Sequence, residues 1–110
     1  MDPQFIREVA SALKMMEDVF NRFCIACLME AKAEAEMLAL GLGSLDTAKR
    51  RLEQAREEIA TCPATAYITE LVDYAVKALS RGEYGKAAEL IEHIINSILA
   101  RPEMLVNCIP

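Results

Sequence analysis

The residues whose types and spacing could do chemistry are few. Cys24 and Cys27 form a Cys-x-x-Cys pair, the spacing of zinc ribbons and dithiol redox centres, which place it on a turn or at a helix start so that both sulfurs converge. Here the surrounding periodicity puts the pair in mid-helix, and no second Cys-x-x-Cys is present. The pair is therefore expected to pack as small core residues, and in a protein read as intracellular all four cysteines (Cys24, Cys27, Cys62, Cys108) are expected to be reduced. His93 is the single histidine and follows Glu89 by four residues, a spacing that can chelate on one helix face. A di-iron bundle would need Glu-x-x-His twice plus two more inward glutamates, and neither copy is there. His93 falls on a polar stripe with Lys86, Glu89 and Asn96, where a solvated side chain is expected. Nucleophile elbows, phosphate-cradling glycine loops and HExxH are absent. No catalytic residue, metal or cofactor is expected.

Lys49-Arg50-Arg51 is the only basic run. A net charge of −5 and the lack of an aromatic residue among these bases argue against nucleic acid. Folding the chain back at Leu42-Gly43 instead brings Glu36 to Lys49, Glu34 to Arg50 or Arg51, and Glu30 to Arg56. These acids and bases sit at the wrong ends of their own helices for the macrodipole, so pairing across the turn offsets a local cost. The adjacent acids Glu17-Asp18 and Glu57-Glu58 point to different helix faces and form no carboxylate pair.

The elements that carry these residues read as helices. The chain has 110 residues, enough for one domain, 54% of them hydrophobic but only 5% aromatic, so it can bury a core but has few rings for a base-stacking platform. Glycine and proline cluster at Pro3, Gly41/Gly43, Pro63, Gly82/Gly85 and Pro102, punctuating the helical stretches. The expected class is all-α: a four-helix antiparallel bundle with a long first helix over 3–40 and shorter ones over 45–60, 65–80 and 83–100. The apolar tail 102–110 is expected to fold back on it. The segment Gly82-Glu83-Tyr84-Gly85-Lys86-Ala87 resembles the turn of a tetratricopeptide-type helical hairpin. Ile94 stands where such repeats take a small residue and no second copy occurs at their period, so no family follows.

The first helix decides the functional expectation. Ile6, Val9, Leu13, Met16, Phe20, Phe23 and Cys27 recur at intervals of three and four, a heptad pattern. After Cys27 the stripe shifts phase to Leu28, Ala31, Ala35 and Leu38. A helix over 3–40 outreaches the second helix, and Met15, Val19, Ile25 and Met29 lie off the main stripe, so two faces need cover. We expect a non-enzymatic interaction module that self-associates as a homodimer, with Phe5, Val9, Met15, Val19, Ile25 and Met29 at the interface. It would also present an apolar helix face, or the apolar tail from Met104 to Ile109, to a protein partner. The competing expectation is a small enzyme or ligand binder with a pocket at Arg81, Tyr84, Glu89 and His93, Arg81 anchoring an anion. No secretory signal or apolar run of membrane-spanning length is visible, so a cytoplasmic protein without membrane contact is expected.

Overall fold

The computed structural model describes residues 2–62 and 65–101. All of the regular structure among them is helical: α1 (Pro3–Arg22), α2 (Ile25–Ala39), α3 (Leu45–Ala60), α4 (Ala66–Ser80) and α5 (Tyr84–Leu99). The last three match the expected spans to within a residue or so. The single helix expected over 3–40 is instead two, which makes five helices rather than four. The tail 102–110 lies outside the described residues.

The break has a packing cause. Phe23 and Ile25 are both fully buried. Two residues apart in a continuous α-helix point to nearly opposite sides, so one neighbouring layer cannot cover both. Cys24 resolves the conflict by taking a left-handed conformation, φ 48° and ψ 59°, the only positive φ outside glycine among the described residues. That conformation costs roughly 1 kcal/mol or more for a residue with a Cβ, while burying a phenylalanine or isoleucine side chain contributes about 1.5–3 kcal/mol each. Burial wins and the helix breaks.

Four helices then close a ring. α2 packs against α3 and α5, and α4 packs against the same two. The interior is aliphatic: Leu28, Leu52, Ile59, Ile68, Val72, Leu79, Ile91, Ile94 and Ile98, with Ala31, Ala35, Ala48 and Ala55 between α2 and α3. Such small residues let two helices approach closely, and larger side chains fill the wider gaps.

The connections are built by local hydrogen bonds. At the end of α2 the N–H of Leu42 reaches the carbonyl of Met37 at 2.8 Å and that of Gly41 reaches Leu38 at 3.0 Å. This is a Schellman closure around Gly41 at φ 80°. The end of α4 repeats it, Glu83 to Ala78 at 2.9 Å and Gly82 to Leu79 at 3.1 Å. Ser44 caps α3 by accepting from the Thr47 N–H at 3.2 Å, and its own N–H donates to Glu34 Oε2 at 2.7 Å. Thr65 is buried, and its hydroxyl reaches the carbonyls of Ile59 and Cys62, each at 2.7 Å, tying the end of α3 to the start of α4.

Candidate interaction surface

α1 is begun by Asp2, whose carboxylate accepts from the Gln4 N–H at 3.0 Å, with Pro3 at the first helical position. From there the helix runs away from the ring. Every residue of 2–14 is exposed, and the main contacts of α1, with α2 and α5, are sparse. Its apolar stripe is open: Phe5 is 57% exposed, Ile6 50%, Val9 43% and Leu13 62%. The radius of gyration, 15.6 Å, exceeds the roughly 13 Å of a compact chain of this size, as a projecting helix requires.

The expected interface residues fall into three groups. Phe5 and Val9 are exposed on α1, and Met29 is 55% exposed on α2. The side chains of Met15 and Val19 lie outside those described. Ile25 corrects the expectation: it is fully buried, packed in the core with Phe23. Met29 lines a shallow groove of about 430 Å³ between α2 and α5 with Ile95 and Leu99. Lys32 spans that groove, 3.6 Å from Glu36 and 4.0 Å from Glu92.

The alternative pocket is not assembled. Arg81 lines a cleft with Tyr74, Lys77 and Lys86, whereas His93 lines another with Tyr67, Asn96 and Arg101. Tyr84 is half-buried against the core and Glu89 is exposed. Tyr84 and His93 are nine residues apart on α5, about 13 Å along its axis, so the four side chains do not converge. Among the described residues no group of three or more His, Cys, Asp or Glu could hold a metal ion, and no helix is long and apolar enough to cross a membrane.

The basic run is divided among different tasks. Arg51 Nε lies 2.6 Å from Glu30 Oε2, although its N–H is not well directed at the carboxylate, and Nη1 donates to Gln54 at 2.9 Å. Lys49 is half-buried and Arg50 exposed. Charge pairing between the first two ring helices is thus present, but the partners differ from those expected. Glu30 takes Arg51 rather than Arg56, Glu34 is engaged by the Ser44 N–H, and Glu36 pairs with Lys32. Arg56 turns to α4, where Asp73 accepts from it at 2.7 and 3.3 Å; this contact holds the guanidinium pKa above its ordinary value. A five-residue connection wound around Gly41 and Gly43 shifts the overlap of α2 and α3, and α4 supplies a competing acid.

The cysteines depart furthest from expectation. Cys24 and Cys27 are joined in a disulfide, Cα to Cα 5.3 Å, and Cys62 is disulfide-bonded as well. The Cys-x-x-Cys pair lies at a helix start after all: Cys24 is the N-cap of α2 and Cys27 stands in its first turn. The sequence held a signal for this, because the apolar stripe changes phase at Cys27. A bond closing so short a loop constrains the unfolded chain by only about 2 kcal/mol, against about 3 for a fifteen-residue loop. Cys24 is half-buried and Cys27 only 9% exposed. Both line an open groove of about 440 Å³ with Asn21, Arg51, Gln54 and Glu57. Comparison with protein families, curated proteins and solved structures finds no match for this chain.

Proposed function

We propose that this protein is a helical interaction module that self-associates through α1, with a second copy of the chain as the occupant of its apolar stripe. The observation that carries the reading is the exposure of Phe5, Ile6, Val9 and Leu13 on a helix that the ring leaves uncovered. Their spacing of three and four repeats along the helix, as a surface does when it packs against another helix. The stripe supplies apolar area and knobs for a facing helix. Polar and charged residues such as Arg7, Glu8, Ser11 and Lys14 occupy the rest of the helix surface and keep the pair in water.

Ile25 takes no part in this interface, because its side chain is committed to the ring. The contact surface is therefore α1 itself, with Met29 and the α2–α5 groove adjoining as ground for a further protein partner. Sedimentation equilibrium in the micromolar range tests the reading. A dimer is expected, and a chain that sediments as a monomer throughout that range refutes it.

A further inference from the structure

We propose that Cys24–Cys27 is a thiol–disulfide exchange site that accepts electrons from a dithiol, a pair of cysteines carried by a peptide or protein. The inference is independent of assembly through α1. Three observations support it. The bond adds little to the architecture: the Cys27 N–H already reaches the Cys24 carbonyl at 3.0 Å, so the first turn of α2 holds the two residues together without it. The two residues are unequally exposed, Cys24 half-buried and Cys27 9% exposed, and both line a groove open to solvent. Finally, the turn does not depend on the bond. Phe23 and Ile25, both without exposed surface, grip Cys24 from either side, so an opened pair stays in place to close again.

The chemistry balances without a further reactant. A thiolate of the substrate attacks Sγ of Cys24. The Cys24–Cys27 bond breaks, and its electron pair leaves on Sγ of Cys27. The second substrate thiolate then attacks its own sulfur in the mixed disulfide and releases Cys24 as a thiolate. The substrate ends as a disulfide, oxidised by two electrons, and its two protons pass to Cys24 and Cys27. The departing Cys24 thiolate lies at the N-terminus of α2, where backbone N–H groups favour negative charge. Attack is assigned to Cys24 because it is the more exposed of the two residues, and exchange rates follow access to the sulfur.

The test uses a fluorescein-tagged peptide with a single cysteine, activated as its mixed disulfide with thionitrobenzoate, so that no second peptide thiol can resolve an adduct. With Cys27→Ser, the remaining Cys24 thiolate should attack the peptide sulfur, displace thionitrobenzoate and hold the peptide as a persistent mixed disulfide. With Cys24→Ser, about tenfold less adduct should form, because the remaining thiol is the shielded one. Equal adduct from the two variants overturns the proposal. A second measurement needs no variant. The wild-type chain is equilibrated in glutathione buffers of graded ratio, alkylated, and each cysteine read by peptide mass, while far-UV dichroism follows the helices. Reversible opening of Cys24–Cys27 with the helix signal intact supports exchange. Opening only as the helices melt makes the bond a structural staple and overturns it.

Discussion

Replacing Val9 and Leu13 by glutamate is the most direct challenge to assembly through α1. The two positions are 43% and 62% exposed in the single chain, so that surface is what pairing would cover. Scaling the roughly 2–2.5 kcal/mol for full burial of such side chains by these fractions gives about 1 kcal/mol for Val9 and about 1.5 for Leu13. A symmetric pair contains each residue twice, so the loss is about 5 kcal/mol, on the order of a thousandfold or more in the dissociation constant. The ring should be untouched, since neither residue belongs to its core. Sedimentation equilibrium measures the association and thermal melting measures the ring. The expected outcome is a monomer with a ring as stable as that of the parent. If the double variant associates as strongly as the parent, α1 is not the contact surface.

Three further outcomes test the packing that positions this surface. Gly43→Ala should destabilise more than Gly41→Ala in thermal melts. Both positions have positive φ, a cost of about 1 kcal/mol for any Cβ, but at Gly43 the new carbon would also lie 3.0 Å from Glu34 Oε2 and Met37 Cβ, whereas at Gly41 it meets nothing within 4 Å. Ser44→Ala should lower stability by about 1 kcal/mol in urea titrations through loss of the α3 cap; no change would mean that the cap is not needed there. Ile91→Ala, at a fully buried site facing the ring interior, should cost about 2–5 kcal/mol, and a loss under 1 kcal/mol would show the ring interior to be loosely packed.

Much of the fold is legible in the residues because local rules act alone there. The ends of α2 and α4 follow from Gly41 and Gly82, which supply the left-handed closure, and the start of α3 follows from Ser44. The break at Cys24 is not legible in that way, because Asp2, Pro3 and the heptad all favour one uninterrupted helix. What overrides them is the simultaneous burial of Phe23 and Ile25, a demand set by the whole ring. The phase change at Cys27 marks the place without giving its geometry. The disulfide depends on the break: only when Cys24 caps a helix does the pair stand at a turn. The uncovered stripe of Ile6, Val9 and Leu13 is written directly in the heptad, whereas the burial of Ile25, which lies off that stripe, is not. Arg56 found Asp73 rather than Glu30 because helix–helix neighbours across α3 and α4 are fixed by the ring, not by folding at a single turn.

The circular arrangement of α2 to α5 also bears on how the molecule forms. Three of its four contacts join helices adjacent along the chain, so each can zip up after closing only a short loop. The fourth, α2 on α5, joins segments at opposite ends of the ring and carries the largest loop-closure entropy. Docking of these two helices should therefore limit the refolding rate, and α1, lying outside the circle, should order itself afterwards without slowing that step.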